Sequence, residues 1–369
     1  MLVIFCILSF ISVVKSSDKE ADVCNDSQHL SSLAQARHLE VPQAMATNNA
    51  EYENESFYNE HGTLLKNAWK EWATTLSDFN DEGWIDASLA SSIDGAFLDP
   101  SEESEAAVKS KWTDMTNLPK GVYATQLLTP TGVSYIRNLF DHAAASGIPT
   151  RRPNGMNRAG VILDRNVNGA VPLEPLVKVV EKIIDRIARP VGRLLFQDRI
   201  GCDDDIDYYA FTIQYDGAES GTNDSIKDKE LKEHRDASAV TLNINLNLPS
   251  EGYEGSEVFF RGYPSADGYG TDLFEVEKDE ENGGTVKFTP GMAIIHLGAH
   301  RHGSLPITAE HLNSDIGEQA VGKRFNLVIW LFGKNGDVRI APYTKMEQLT
   351  ATERWRGCNT GEYNNASED

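Results

Sequence analysis

An α+β chain ending in an antiparallel barrel or jelly roll is predicted by three features of this sequence. Residues 119–195 carry one strand pattern followed by two helix patterns. From Tyr208 onward, short apolar or alternating runs are separated by Gly, Pro and acidic turns. The chain has 369 residues, 40% hydrophobic and 24% charged, so it can bury a sizeable core and is neither wholly disordered nor collagen-like.

Taken in order, Met1 to Val14 is an apolar run too short to cross a bilayer. Lys15, Ser16 and Ser17 follow, with Val14 and Ser16 at the minus-three and minus-one places of a cleavage site, so residues 1–17 read as a secretory signal peptide. A short signal anchor is the rival reading. With cleavage, no membrane span is expected and the chain enters the secretory pathway, in the ER lumen or outside the cell. Asn25, Asn54, Asn223 and Asn365 head Asn-x-Ser/Thr triplets, which would make the protein a glycoprotein. Cys24, Cys202 and Cys358 remain after Cys6 is lost, one pair and one leftover, and Cys202 with Cys358 would tie the C-terminal tail to the main domain.

Residues 18–118 form an acidic leader and a helical N-terminal region. In it Leu64, Leu65, Ala68, Trp69, Trp72 and Leu76 share one helical face, and the acidic patch from Glu102 to Glu105 reads as solvated helix surface. The segment 121–128 reads as a strand. A helix capped near Thr129 to Thr131 follows, then a second one over 176–195 interrupted at Pro190. Residues 119–345 make the main domain and 346–369 a tail. The formal charge of −22 repels a phosphate backbone, so nucleic acid is not an expected partner.

The chemistry is concentrated in His234-Arg235-Asp236, before the strand Val240 to Leu248, and in His302, beyond the strand Gly291 to Gly298. Two residues apart on extended backbone, an imidazole and a carboxylate point the same way, ~7 Å apart at the backbone, and can chelate one ion. A distant His closes the triangle, and two neutral nitrogens with one carboxylate leave the positions opposite open, as a non-haem Fe(II) site requires. Arg324 opens a strand whose Phe325, Leu327, Ile329 and Leu331 form an apolar face, leaving Arg324 and Asn326 on the other. A guanidinium inside a barrel needs an anion, and a dicarboxylate supplies one. In 240–248 the residues Thr241, Asn243, Asn245 and Asn247 share a polar face suited to a wet, ligand-lined interior. His296, His300 and His302 could instead be read as a zinc hydrolase site. The run Asp203-Asp204-Asp205 with Asp207 lacks the Gly turn and terminal Glu of an EF-hand and reads as a solvated loop.

The ordered set RRPNGMNRAGVILD (151–164), AFTIQYDG, LKEHRDASAVTLNINLN, GYEGSEVFFRG and PGMAIIHLGAHRHGSLPIT with GKRFNLVIWLF resembles the 2-oxoglutarate- and Fe(II)-dependent oxygenases of the prolyl 4-hydroxylase and lysyl hydroxylase type, especially the branch named for a 2-oxoglutarate and iron-dependent oxygenase domain. The resemblance covers about residues 120–335. It implies a double-stranded β-helix, a cupin-like jelly roll with N-terminal supporting helices. It also implies that His234, Asp236 and His302 ligate Fe(II), that Arg324 binds the far carboxylate of 2-oxoglutarate, and that Tyr215 and Asn243 add polar contacts. His296 and His300 then stand behind the ligands or on the substrate side. The implied reaction consumes O2 and 2-oxoglutarate, releases succinate and CO2, hydroxylates a C–H bond, and draws on ascorbate as reductant. A protein or peptide substrate, at Pro or Lys, is expected. Two insertions depart from the family: residues 219–229, and 309–321, which stretch the spacing from His302 to Arg324 to 22 residues. A catalytically silent module of the same fold, keeping a metal for partner recognition, is the rival from another class.

Overall fold

In the computed structural model, residues 83–145, 153–161 apart from 155 and 159, 174–202, 207–217, 228–262, 284–309, 322–333, 337–339 and 343–358 are described, with strand 38–40 and positions 60, 63 and 67. The signal-like segment, nearly all of the helix expected over Leu64–Leu76, the four glycosylation triplets, Asp203-Asp204-Asp205 and most of both insertions lie outside the described residues.

Helix α1 (Ala87–Leu98) starts where the Asp86 carboxylate accepts the Leu89 N–H, and α2 (Glu102–Lys109) where Ser101 and Ser104 cap each other reciprocally. Helix α3 (Pro130–Ala145) has Pro at its first position, and the Thr129 hydroxyl accepts from Gly132 N–H at 3.1 Å. The next helical stretch runs as α4 (Glu174–Ile183), a π turn (Ile184–Ala188) and α5 (Arg189–Leu195). The expected interruption at Pro190 takes this form. Proline lacks an N–H and crowds the carbonyl four residues back, and the widened turn just before it relieves that crowding. Helix α6 (Ala351–Arg356) closes the described chain.

The strands are β1 (His38–Glu40), β2 (Thr113–Asp114), β3 (Val122–Gln126), β4 (Asp207–Asp216), β5 (Leu231–His234), β6 (Val240–Asn245), β7 (Tyr253–Gly255), β8 (Val258–Gly262), β9 (Thr285–Val286), β10 (Met292–Leu297), β11 (Arg301–Ser304), β12 (Ile307–Ala309), β13 (Lys323–Phe332) and β14 (Asp337–Arg339). Every pairing of named strands is antiparallel. A six-stranded sheet runs β2-β3-β10-β6-β13-β4 and a four-stranded sheet β5-β11-β8-β9, with β12 beside β7 and β1 beside β14.

Period-two alternation decides which face of the large sheet each residue serves. Leu242, Ile244, Leu327, Ile329, Leu331, Ala293 and Ile295 point to one side, where Ile136, Leu139, Val180, Ile183, Ile187, Val191 and Leu194 of the helices cover them in one continuous core. On the other side Val122, Ala124 and Ile294 meet Val258, Phe260 and Val286 of the small sheet. Beside them Phe211, Ile213, Tyr215 and Val328 form a third apolar cluster with Tyr253 and Ile307.

Two buried ion pairs join distant parts of the chain. Arg137 of α3 grips Glu251 at 2.6 and 2.7 Å, behind the large sheet. Arg354 of α6 grips Glu105 of α2 at 2.7 Å through both Nε and Nη2, and Trp355 donates its indole N–H to the same carboxylate at 3.1 Å. The reading of Glu102 to Glu105 as a solvated face therefore fails at its last member. Glu102 and Glu103 are exposed, but Glu105 lies on the inner side of the helix, where the C-terminal Arg354 turns it into an anchor. Near that anchor Cys202 and Cys358 form a disulfide with Cα atoms 5.4 Å apart, the pairing expected from the sequence.

Removing one partner of a buried pair strands the other charge, so Glu105→Ala should lower unfolding free energy by ~3–5 kcal/mol. Glu102→Ala, on the exposed face, should change it by less than about 0.5 kcal/mol. Urea midpoints of the two variants check this, and equal midpoints would remove the anchor role.

Candidate metal centre

His234 closes β5 and His302 stands in β11, and the two are direct partners across the ladder, with ring centroids 4.3 Å apart. Asp236 follows β5 after the chain has left that ladder. Its N–H is held by the Gly298 carbonyl at 3.0 Å, so the carboxylate turns back beneath the histidines. A Cβ on Gly298 would sit 2.1 Å from the Ser238 carbonyl oxygen, and only glycine allows this approach of the two chains. His302 was expected beyond a strand; it sits within a short one of its own.

The Nδ1 of His234 lies 2.8 Å from the Lys232 carbonyl and that of His302 3.0 Å from the His300 carbonyl. Those contacts place the proton on Nδ1 and leave each Nε2 bare toward Asp236, at 3.4 and 3.6 Å from its oxygens. One ligand atom from each of the three residues lies within 4.8 Å of the others. Three lone-pair atoms facing one another need a cation or a proton between them. Two imidazoles and one carboxylate on one side of an ion are the donor set of a non-haem Fe(II) centre.

The same need shows in the electrostatics. The neighbouring histidines hold the Asp236 carboxyl well below the usual carboxylate range despite its burial. Burial pulls the His234 imidazole down, but the hydrogen bond and charge of Asp236 outweigh it and raise His234 above its ordinary value. Without metal, a proton on His234 plays the cation's part.

Arg324 lies at the start of β13, on the face that carries Asn326, Val328 and Trp330, and is 1% exposed. Its guanidinium sits 4.2 Å from the centroid of the Tyr215 ring and donates through Nη1 to the Ser256 carbonyl, while its buried Nε has no partner. Ser256 holds φ +59, a left-handed backbone that non-glycine residues rarely adopt, and this turns its carbonyl onto the guanidinium. No carboxylate forms an ion pair with Arg324 among the described residues. One cavity, about 440 Å³ with its open mouth, is lined by His234, Asp236, His302, Arg324, Tyr215 and Asn243 together. All six residues singled out in the sequence therefore reach one space, and an anionic small molecule beside a metal fits the charges that line it.

Asn243 accepts from the Asn326 amide at 2.6 Å on the cavity wall. Asn245 and Asn247 do not reach the cavity. They bond each other, Asn326, and the carbonyls of Glu251 and Lys323, a closed network inside the sheet. The polar stripe of β6 is thus a cavity lining at its first half and scaffold at its second. Sequence reasoning named no role for four further wall residues, Asn154, Asn157, Ser304 and Trp330. Asn154 and Asn157 lie within the quoted 151–164 motif, and Trp330 shares the Arg324 face by simple alternation, so both signals were present.

His296 and His300 do not build a zinc site with His302. Their rings are 6.2 Å apart, His300 directs Nε2 to the Lys120 carbonyl at 3.1 Å, and His296 Nε2 stops 4.0 Å from Asp236. Burial, with repulsion from His302, pushes His300 down to about 4 and His296 to about 3 from the ordinary 6.5. The unfolded chain then binds more protons than the folded one between those values, so stability rises with pH through that window and falls as acid is added. Asp236 acts only below its unfolded value of about 3.9, and His234, raised, works in the opposite direction above 6.5. The metal-free protein should therefore lose stability from pH 6.5 down toward 4, with His300→Asn flattening part of the slope. Denaturation midpoints across that range test it, and an unchanged slope in the variant would reject the assignment.

No family model matches the chain. It is 28% identical over 221 residues to the 2-oxoglutarate and iron-dependent oxygenase domain-containing protein 2 of Xenopus tropicalis, covering 60% of this chain and 51% of the relative. It is 26% identical over 246 residues to the Arabidopsis thaliana protein of the same description called ICU11, covering 66% and 51%. The chain thus spans about half the length of these curated relatives. Among solved structures, a 2OG-Fe(II) oxygenase family oxidoreductase from Burkholderia pseudomallei aligns with a TM-score of 0.35 at 14% identity, over 58% of this chain and 87% of that one. A Pseudomonas putida prolyl-4-hydroxylase aligns with a TM-score of 0.33 at 15% identity, over 58% and 93%. In sequence, the proteins this chain is similar to are those named for a 2-oxoglutarate and iron-dependent oxygenase domain.

Proposed function

We propose that this protein is a 2-oxoglutarate- and Fe(II)-dependent dioxygenase that hydroxylates a C–H bond, on a Pro or Lys side chain of a protein in the secretory pathway. One observation carries the reading above the rest: a buried guanidinium with no acidic partner among the described residues opens into the same cavity as a His-Asp-His cluster. The two antiparallel sheets are read as the halves of a double-stranded β-helix, with the N-terminal helices supporting the larger one.

In this reading His234, Asp236 and His302 hold Fe(II), which when bound couples the oxidative decarboxylation of 2-oxoglutarate by O2, to succinate and CO2, with insertion of oxygen into the substrate. The chain's own side chains do the placing. Arg324 offers its unpartnered Nε–H and the rest of its fork to the far carboxylate, where a charge-assisted pair in a buried site is strong. Tyr215, fully buried beneath the guanidinium, keeps its phenol protonated because burial pushes it up, so it can donate to the same carboxylate. Asn243 adds an amide from β6. Phe211, Ile213, Val258 and Val328 add apolar wall beside these polar groups and lower the dielectric in which they act. Ascorbate is the proposed reductant that keeps the metal ferrous.

The secretory placement rests on the signal-like segment 1–17, the Asn-x-Ser/Thr triplets and the Cys202–Cys358 disulfide, which persists in an oxidising compartment. A protein substrate is proposed from the resemblance of the sequence motifs between residues 151 and 332 to those of prolyl and lysyl hydroxylases.

Purified protein with Fe(II) and 2-oxoglutarate should form succinate, and Asp236→Ala should abolish it; turnover unaffected by that change would refute the reading. Arg324→Gln should raise the KM for 2-oxoglutarate roughly 10- to 100-fold, as loss of ~1.5–3 kcal/mol from hydrogen bonds to a charged group implies. Its kcat should change far less, and an unchanged KM would move the anion elsewhere. Mass spectrometry of luminal proteins from cells with and without the enzyme should reveal a +O adduct on Pro or Lys.

A further inference from the structure

Asp236 has an unusual hydrogen-bond environment for a buried carboxylate. Its side chain is 4% exposed, yet among the described residues only one side-chain hydroxyl donates to it, the Oγ1 of Thr241 at 2.6 Å from Oδ2. With a cation between them, Nε2 of His234 and of His302 would turn lone pairs to it and donate nothing to the carboxylate, each Nδ1 being the protonated site. Besides Thr241, His302 Nε2 lies 3.6 Å from Oδ2, and His296 uses its Nδ1 on the Leu297 carbonyl and turns Nε2 toward Oδ2 at 4.0 Å. Thr241 is therefore the donor that fixes which way the carboxylate faces.

A hydroxyl has one proton, so its direction must itself be set. Ser238 Oγ lies 2.8 Å from Thr241 Oγ1, and both residues are buried, at 2% and 1% exposure. If Thr241 gives its proton to Asp236, Ser238 must donate to Thr241, and the chain runs one way: Ser238 to Thr241 to Asp236. The backbone holds this chain in place. Thr241 pairs across the ladder with His296, and the Ser238 carbonyl packs against Gly298, whose own carbonyl holds the Asp236 N–H.

We infer that Thr241, oriented by Ser238, is a positioning residue that holds Asp236 Oδ2 and so fixes the rotation at which the carboxylate faces His234 and His302. This rests on the proposal that His234, Asp236 and His302 form a metal centre, and it gives Thr241, on the cavity wall, and Ser238 behind it a part that works through Asp236. Without the Thr241 hydroxyl, the carboxylate would lose the donor that fixes its rotation.

The test uses the full chain and Co(II) as the probe, with affinity and the visible d–d absorption as readouts independent of turnover. Thr241→Val, nearly isosteric, should weaken Co(II) binding about 10- to 100-fold, the usual cost of losing a group that orients a metal ligand. It should also alter the d–d spectrum as the carboxylate loses its fixed orientation. Thr241→Ser should restore the wild-type spectrum and affinity to within a few-fold, which a packing role for the methyl group would not predict. Ser238→Ala should shift the spectrum in the same direction as Thr241→Val, by less, and it leaves the Thr241 site intact should the valine variant fold poorly. Wild-type affinity and spectrum in both Thr241→Val and Ser238→Ala would overturn the inference while leaving the metal centre standing. Failure of the wild-type protein to bind Co(II), or binding undisturbed by Asp236→Ala, would overturn the metal centre and this inference with it.

Discussion

His302 lies opposite His234 in the ladder between β5 and β11, and that one register brings a residue from each of two remote stretches to within a ring's width. A slip of one residue would send either imidazole to the far face, because side chains alternate strictly along a strand. The rest of the site is arranged around this pair. Gly298 catches the Asp236 backbone, Thr241 catches its carboxylate, and carbonyls two residues back along the chain pin both Nδ1 positions. The centre is held mainly by main-chain atoms, which are the least mobile part of a packed sheet.

The large sheet gives the centre its setting. Its helix-facing side is filled with aliphatic residues and its other side divides into apolar clusters and a cavity. β13 shows how little is needed to switch between these roles. Leu327 and Ile329 belong to the helical core, while Arg324 and Trp330, a few residues away with opposite parity, belong to the cavity.

Much of this was legible in the sequence, for identifiable reasons. His234 and Asp236 stand two apart, Arg324 opposes an apolar run, and 240–248 alternates without interruption, so period-two reasoning reaches them. His302 became legible only through the resemblance of its surrounding motif. What stayed hidden has equally physical causes. β5 and β11, LKEH and RHGS, lack the branched and aromatic residues that mark strands, and they are strands because their neighbours pair with them. The split of the β6 asparagines into lining and scaffold depends on how far along the strand the cavity extends, which alternation does not encode. Glu105 pairs with Arg354 from a position 249 residues away, beyond any local pattern.

Arg324 belongs to the large sheet, whereas His234 and His302 belong to the small one. Any occupant that touches the guanidinium at one end and the histidine side at the other bridges the gap between the two layers and acts as a rivet. Slow amide exchange in β11 and β13 would then become a shared property of the filled cavity, with protection in one layer rising in step with protection in the other.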